Sequence, residues 1–339
     1  MVAGEKKPRL ACPSEVSPQP RGSSRSRTTE GRTVRMLDDR LTEQRNPRSS
    51  AMDVLSALEL VDLINSEDRT VAEAVASQRL AIADAIELVA EAFRSGGRLI
   101  YVGAGTSGRL GVLDAAEMPP TFGTDPEMVQ GIIAGGREAL VRSQEGAEDH
   151  PEDGASEIDR LEIGPKDFVM GIATSGTTPF VHGALARARE RGAHTGFLLC
   201  TSPAPELLET HDVVIAPLVG PEVVTGSTRM KAGTATKMIL NTVTTAAMVM
   251  TGKVFGNLMV DLQATCEKLE DRGERILMTI LDVDRSRAAE LLEAAGGNVK
   301  TALVMERRGA GVVEAERLLE EAGGALARVI GSLAEDPQT

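Results

Sequence analysis

Aromatic residues are almost missing from this sequence of 339 residues, which has no tryptophan, one tyrosine and six phenylalanines. Proteins that bind single-stranded nucleic acid stack the bases on aromatic rings, so we expect no such stacking surface here. The net charge is −13 at pH 7, whereas a nucleic-acid surface requires an excess of positive charge. Both observations predict that nucleic acid is not a partner.

Cysteine and histidine are also scarce. They are Cys12, Cys200, Cys266, His150, His182, His194 and His211. Metal sites and redox pairs place such residues at short, characteristic intervals, and these positions do not show them. We therefore expect no metal, no cofactor and no disulfide framework, and a location in the reducing cytoplasm.

Long apolar runs are missing too, because no segment approaches the roughly 20 residues that span a membrane, and we expect no membrane span. Residues 1–35 carry a net charge of +5, which leaves −18 for the rest of the chain. This segment is rich in Pro, Ser, Arg and Gly without periodicity, so we expect a disordered basic extension. We interpret Met36 as the translation start.

A glycine turn after an apolar run is the most informative feature that the sequence does contain. Residues 99–102 read Leu-Ile-Tyr-Val, which is typical of a buried parallel strand, and residues 103–108 read Gly-Ala-Gly-Thr-Ser-Gly. A glycine turn at the start of a helix presents backbone N–H groups to an anion. We interpret Gly105, Thr106 and Ser107 as part of a phosphate-binding turn.

The helix after this turn is predicted to end at Pro119 and Pro120, because proline cannot continue a helix. Glu117 then lies in its last turn as a candidate catalytic carboxylate. A dinucleotide site would need an acidic residue at the end of the next strand, and a nucleoside-triphosphate loop would need Lys followed by Ser or Thr. The sequence has neither, since the next strand ends in Gly135 and Gly136 and the last glycine of the turn is followed by Arg109 and Leu110. A turn that serves only helix–strand packing remains open.

Apolar and helical segments alternate along the middle of the chain. Strands are predicted near residues 99–103, 128–134, 167–173, 195–200 and 212–217. Helices are predicted between them, for example over residues 110–117, 137–145 and 180–191. Such alternation indicates an α/β fold, a three-layer doubly wound parallel sheet with helices on both faces. Ligands bind such sheets at the carboxyl ends of the strands.

The segments on either side of this core are predicted to be helical. Residues 36–95 form N-terminal helices that pack on the core domain, residues 96–284, and residues 285–339 form a small C-terminal helical bundle. The first helix spans residues 52–65, and Thr70 with Glu73 forms a capping box for a second helix that runs to about residue 93.

Two further loops are rich in glycine and hydroxyl side chains. They are residues 173–179 and 225–231, and the candidate ligand-binding residues on them are Ser175, Gly176, Thr177, Ser227, Arg229 and Lys231. Any one such loop is an ordinary helix cap. Three such loops at one edge of the sheet together supply many neutral donors for a phosphate monoester. Arg229 and Lys231 could add positive charge.

The segment from residue 227 to residue 253 is rich in Thr, Ala and Met and nearly uncharged after Lys237. A helix that is apolar on most sides is buried in the core or in a subunit interface. We favour a homodimer interface here. A further helix is predicted over residues 257–284.

Long motifs in the chain resemble those of the N-acetylmuramic acid 6-phosphate etherases, which are built on the sugar isomerase (SIS) fold. The motifs are LIYVGAGTSGRLGVLDAAEMPPTFG, IIAGG, EGAED, VVTGSTRMKAGTATK and GKVFGNLMVD, and the match covers about residues 41–333. The resemblance implies a lyase that acts on a small 6-phosphosugar in amino-sugar catabolism and cell-wall recycling. Its products would be N-acetylglucosamine 6-phosphate and D-lactate, formed by elimination and then addition of water.

The same resemblance implies two catalytic glutamates. Glu117 ends the motif Asp-Ala-Ala-Glu and would be the proton donor, and Glu148 in EGAED would be a second acid/base. Two positions depart from the family pattern: Ala116 replaces the usual Ser, and Thr177 stands where Arg is often found. Two other functions stay open, a sugar-phosphate sensor of the glucokinase-regulatory type and an aldose–ketose isomerase.

Overall fold

The computed structural model describes residues 40–261, 267–331 and 333. The basic extension over residues 1–35 and the start at Met36 lie outside the described residues, as do Cys12 and Cys266. No helix in the described part of the chain has the length and apolarity needed to cross a membrane.

Five parallel strands form the central sheet, as the sequence predicted. They are β1 (Leu99–Gly103), β2 (Val129–Ile133), β3 (Phe168–Ile172), β4 (His194–Leu198) and β5 (Val213–Ile215). Their order is β2-β1-β3-β4-β5, and Leu99 lies opposite both Val129 and Phe168. The strand order reverses between β1 and β3, and a crevice at the carboxyl ends of these two strands is where such sheets bind ligands.

Fourteen α-helices are present in the described residues. They are α1 (Ala57–Asp68), α2 (Val71–Ser77), α3 (Arg79–Arg94), α4 (Gly105–Phe122), α5 (Glu138–Val141), α6 (Pro151–Arg160), α7 (Pro179–Glu190), α8 (Pro205–Thr210), α9 (Lys231–Met250), α10 (Glu267–Leu281), α11 (Arg285–Ala294), α12 (Val299–Arg308), α13 (Val312–Glu321) and α14 (Leu326–Ile330). Short 3₁₀ turns lie at Leu41–Glu43, Pro47–Ser49, Met52–Val54 and Ala147–Asp149.

The helices cover both faces of the sheet because successive strand side chains point to opposite faces. Leu99 and Tyr101 of β1 belong to the core that includes α3, α4 and α9. Ile100 and Val102 belong to the second core, with α6 and α7. The fold is therefore the three-layer α/β arrangement that the sequence predicted.

The end of α4 differs from the prediction. Pro119 and Pro120 lie inside the helix, which continues to Phe122 and ends at Gly123, a residue in the left-handed conformation with φ 60°. Each proline removes one donor but keeps its carbonyl, and the N–H of Gly123 donates to the carbonyl of Pro119 at 2.9 Å. Burial of Met118 and Phe122 holds this turn on the core. Glu117 consequently lies more than one turn before the helix end.

The capping residues of the N-terminal helices differ from the predicted ones. The α1 helix starts at Ala57, and Ser56 and Glu59 form the capping box. Thr70 makes no capping bond, since its hydroxyl donates to the carbonyl of Glu67 at 2.8 Å. The second predicted helix is divided into α2 and α3 around Gln78.

The C-terminal helices share a separate hydrophobic cluster that also takes in α10, Phe255 and Val260. Residues 257–261, predicted to be helical, instead form turns and extended chain, with an antiparallel bridge between Phe255 and Leu258. From this bent chain, Phe255 and Val260 are buried in the cluster of the C-terminal helices and Leu258 packs against it. The domain boundaries at residues 95 and 284 stay predictions.

Candidate active site

The three glycine- and hydroxyl-rich loops lie at the carboxyl edge of the sheet. Two of them follow β1 and β3, on either side of the point where the strand order reverses. The third precedes α9, and a Cβ placed on Gly233 would lie 3.6 Å both from the Thr106 methyl carbon and from the Thr228 carbonyl oxygen. The first and third loops therefore approach each other at the first turn of α9.

The loop after β3 brings two of the predicted hydroxyls together. The Oγ of Ser175 and the Oγ1 of Thr177 are 3.1 Å apart, on either side of Gly176, whose φ of 77° favours glycine. The helix α7 begins directly after this loop, and the side chain of its N-cap residue, Thr178, does not cap it. Hydroxyls beside a helix N-terminus are a suitable site for an anion.

The turn after β1 and Glu148 share one cavity. Its volume is about 250 Å³, and Ala104, Gly105, Arg109, Gly146 and Glu148 are among the residues that line it. Gly105 starts α4 with φ 52°, and Ser107 is buried at the first turn. Glu148 is exposed on the 3₁₀ turn that follows Gly146. One predicted carboxylate is therefore placed beside one predicted phosphate turn.

Arg109 forms part of the same cavity, although we gave it no functional role from the sequence. Its guanidinium donates to the carbonyl oxygens of Ala139 at 2.6 Å and Leu140 at 3.1 Å. These carbonyls belong to α5. Arg109, which lies on α4, therefore links α4 to α5 beside the cavity.

The loop before α9 is a different environment from the other two. The carboxylate of Glu222 accepts hydrogen bonds from the backbone N–H groups of Lys231 and Ala232, each at 3.0 Å. Glu222 is buried, and this burial raises the pKa of its carboxyl. An anion of the chain itself therefore occupies the N-terminus of α9, and Ser227 remains half-buried on the loop.

Lys231 is not placed as predicted. Its ammonium group is 2.6 Å from Oε2 of Glu67, and its side chain is 4% exposed. Glu67 also accepts a hydrogen bond from Asn46 at 2.8 Å and pairs with Arg48 at 2.8 Å. Burial acts to raise the pKa of Glu67, but these partners outweigh it and the pKa is lowered. Because Lys231 is already paired in the core, the structure does not support it as a phosphate ligand.

The motif that contains Glu117 divides between the core and the surface. Asp114 is 1% exposed and accepts hydrogen bonds from the hydroxyl of Tyr101 at 3.1 Å and the ammonium of Lys237 at 3.0 Å. Burial, followed by the charge of Asp114, raises the pKa of Tyr101. This network joins α4 to β1 and α9, and it leaves Glu117 exposed on the outer face of α4.

Glu117 is not among the residues that line the cavity with Glu148. Glu148 lines the cavity at Gly105, whereas Glu117 lies 12 residues further along α4, about 18 Å at 1.5 Å per residue. The surface around Glu117 includes Leu113, which is 46% exposed, and the exposed Ala116. The second carboxylate of the predicted pair therefore lies near the opposite end of the helix.

In the part of the chain that the structure describes, no group of three or more His, Cys, Asp or Glu side chains could hold a metal ion. The groups that converge at the carboxyl edge are hydroxyls, backbone N–H groups and the carboxylates of Glu148 and Glu222. They suit recognition of an anion and transfer of a proton.

Comparison with known proteins identifies close relatives. The chain is 57% identical over 293 residues to an N-acetylmuramic acid 6-phosphate etherase of Synechococcus elongatus, covering 86% of this chain and 95% of the relative. It is 50% identical over 302 residues to the protein of the same name from Rhodopirellula baltica, covering 89% and 100%. Residues 81–189 match the family model of the glucokinase regulatory protein N-terminal SIS domain.

Solved structures give a more distant likeness. The phosphoheptose isomerase GmhA from Neisseria gonorrhoeae aligns with 57% of this chain and 99% of its own, with 17% identity and a TM-score of 0.44. The NanR protein of Vibrio vulnificus, complexed with ManNAc-6P, covers 67% of this chain and 72% of its own, with 14% identity and a TM-score of 0.39. These values are too low to bear on function.

Proposed function

Since the chain belongs to the family of the N-acetylmuramic acid 6-phosphate etherases, we propose that it cleaves the D-lactyl ether of N-acetylmuramic acid 6-phosphate. The products are N-acetylglucosamine 6-phosphate and D-lactate. The observation that carries this proposal is 50–57% identity over nearly the whole length of the relatives. The chain is accordingly a carbon–oxygen lyase on an SIS fold. Its predicted cytoplasmic location stays a prediction.

The proposed reaction is an elimination followed by an addition. With the sugar open to the C1 aldehyde, the C2 proton is α to a carbonyl and a carboxylate can remove it. The electron pair forms the C2–C3 double bond, and lactate leaves C3 with a proton from an acid. Water then adds at C3, and a proton returns to C2.

We assign the two acid/base roles to Glu117 and Glu148. Glu117 protonates the departing lactate and later activates the water, and Glu148 removes the C2 proton. The placement of Glu148 in a cavity with Gly105 supports its role. The exposure of Glu117 supports only its access to a ligand.

The phosphate is held in this proposal by neutral donors at the carboxyl edge. They are Gly105, Thr106, Ser107, Ser175, Gly176, Thr177 and Ser227. The short distance between the Ser175 and Thr177 hydroxyls supports the loop after β3 as the centre of this group. Binding of the remote phosphate would orient the reacting carbons.

A homodimer would complete the site. Glu117 does not line the cavity of its own chain, so we propose that Glu117 of a second copy supplies the second acid. Most apolar side chains of α9 lie in the core of this chain, although Val249 and Met250 near its end are exposed, so the interface predicted on this segment stays a prediction. The exposed face of α4 around Leu113 and Glu117 is the better candidate.

The first experiment measures D-lactate release from N-acetylmuramic acid 6-phosphate by the purified chain and by Glu117→Gln. We expect release by the native chain and none by the variant, with binding of the 6-phosphosugar retained. The match to the glucokinase regulatory model favours a second candidate, a sugar-phosphate sensor. Binding by the native chain without release would favour that sensor, and interconversion of an aldose and a ketose phosphate would favour the isomerase.

A second experiment tests whether the site is shared between chains. A heterodimer of Glu117→Gln and Glu148→Gln, purified with two different tags, contains one intact pair only if the two acids come from different copies. In a two-fold symmetric dimer we expect about half of the native lactate release. No release, with the heterodimers of native chain and each variant active, would show that both acids act from one chain.

A further inference from the structure

The segment of residues 40–49, here called the N-terminal strap, lies across the carboxyl edge of the sheet. The backbone N–H of Leu41 donates to Oγ1 of Thr201 at 3.4 Å, in the loop after β4. Asn46 donates to the carbonyl of Pro221 at 3.2 Å, in the loop after β5. A Cβ on Gly226 would lie 3.4 Å from Oε2 of Glu43. The strap therefore touches the loops after β4 and β5 and the glycine loop before α9.

The position of the strap is fixed by buried polar groups. Thr42, Asn46 and Ser49 are each no more than 9% exposed. Asn46 donates to Glu67 at 2.8 Å, the same carboxylate that pairs with Lys231. Asn46 therefore connects the strap to the buried ion pair between Glu67 and Lys231.

The first residue of the strap points to the predicted phosphate loop. Nη1 of Arg40 donates to Oγ1 of Thr177 at 2.8 Å, across 137 residues of sequence. The loop of residues 173–179 contains no Lys or Arg of its own. The guanidinium of Arg40 therefore brings a positive charge to a loop that otherwise offers only neutral donors.

Three other cations lie on the hydroxyl-rich loops or the glycine turn, and two of them make their contacts away from the loop after β3. Lys231 is paired with Glu67 in the core. Arg109 donates to carbonyls of α5. Arg229 is exposed on the loop before α9, where Glu222 already occupies the helix N-terminus. The nearby acid of the strap, Glu43, faces Gly226 and the hydroxyl of Thr42.

We propose that Arg40 is a phosphate-binding residue of this protein, supplied from the N-terminal strap to the loop after β3. Its guanidinium would bind the phosphate of the 6-phosphosugar together with the hydroxyls of Ser175 and Thr177. Arginine suits this role because its planar donors match two phosphate oxygens at once. The inference rests on the proposed function, in that it takes the ligand to be a 6-phosphosugar.

The test compares Arg40→Gln with Arg45→Gln, which removes the same charge from an exposed position of the same strap. Calorimetry with N-acetylglucosamine 6-phosphate measures binding without turnover. We expect Arg40→Gln to raise Kd about 10- to 100-fold, the effect of losing a hydrogen bond to a charged group. Arg45→Gln should leave Kd near its native value. In kinetics, KM should rise for Arg40→Gln while kcat changes much less.

A rescue variant separates a binding role from a structural one. Thr177→Arg in the Arg40→Gln background restores a guanidinium at the loop, so we expect most of the lost affinity to return. Arg40→Lys should retain only part of the native affinity, since an ammonium group cannot make the bidentate contact that a guanidinium makes with phosphate. Unchanged Kd in Arg40→Gln, or a loss that Thr177→Arg does not repair, would overturn the inference. Failure of the native chain to bind any 6-phosphosugar would instead contradict the proposed function.

Discussion

The loops before α7 and before α9 share a pattern of glycine and hydroxyl side chains but have different environments. Both are rich in glycine and hydroxyl side chains and both lead into a helix at the carboxyl edge. Before α9, the chain folds its own carboxylate, Glu222, onto the helix N-terminus. Before α7, the hydroxyls of Ser175 and Thr177 lie beside the guanidinium of Arg40. The comparison indicates that two loops of similar pattern can differ in their access to an external anion, because the chain already places a carboxylate at one of the two helix N-termini.

The largest expected effect concerns the buried ion pair between Glu67 and Lys231, the first residue of α9. Glu67→Gln leaves the buried ammonium of Lys231 without its charged partner, and removal of one member of a buried pair costs about 3–5 kcal/mol. Chemical denaturation would measure the change in the free energy of unfolding. The matched control, Glu73→Gln, alters an exposed residue of α2 and should change stability by less than about 0.5 kcal/mol. Equal stability of both variants would show that Lys231 does not depend on Glu67.

A smaller effect, on binding rather than stability, is expected at the α7 loop. Ser175→Ala removes a hydroxyl that faces the proposed phosphate, so the Kd for N-acetylglucosamine 6-phosphate should rise about 3- to 10-fold, the effect of one neutral hydrogen bond. Ser227→Ala on the loop before α9 should raise Kd less. A larger loss of binding in Ser227→Ala than in Ser175→Ala would contradict the difference assigned to the two loops.

The smallest effect is a difference in pH dependence between two acids near α9. The pKa of Glu67 is lowered from 4.5 because its partners outweigh burial, so its stabilisation is present above pH 4.5 and is lost as the pH falls through the lowered value. The pKa of Glu222 is raised from 4.5 by burial. Its contribution is full below pH 4.5 and is lost as the pH rises through the raised value.

Removal of each carboxylate should therefore give opposite slopes. The stability advantage of the native chain over Glu67→Gln should shrink on acidification below pH 4.5, and its advantage over Glu222→Gln should shrink as the pH rises above 4.5. Urea unfolding at a series of pH values would measure both. Slopes of the same sign would contradict the environments assigned to the two acids.

The positions of the strands and the three-layer architecture could be predicted because they depend on local pattern. Each strand is a short apolar run, and the alternation with helices predicts a parallel sheet. The end of α4 could not, because two prolines in a row are a strong local stop signal. In this case burial of Phe122 and the turn at Gly123 outweigh that signal.

The site was harder to predict because its partners are distant in sequence. Lys231 and Glu67 are separated by 164 residues, and Arg40 and Thr177 by 137. Local composition marked Lys231 as a cation beside a phosphate loop, and only the fold shows that its charge is already paired. Glu117 was predicted as a catalytic carboxylate from its place on the helix after the glycine turn, whereas its acid/base role came from the family motifs. Glu148 came from those motifs alone, since an acid in an acidic run has no distinguishing local pattern.

The most direct test of the central claim is a crystal structure of the native chain with bound N-acetylglucosamine 6-phosphate. The account predicts the phosphate at the N-terminus of α7, within hydrogen-bond distance of Ser175, Thr177 and Arg40, while Glu222 keeps its bonds to the N-terminus of α9. A phosphate at the N-terminus of α9 that displaces Glu222 would contradict the account.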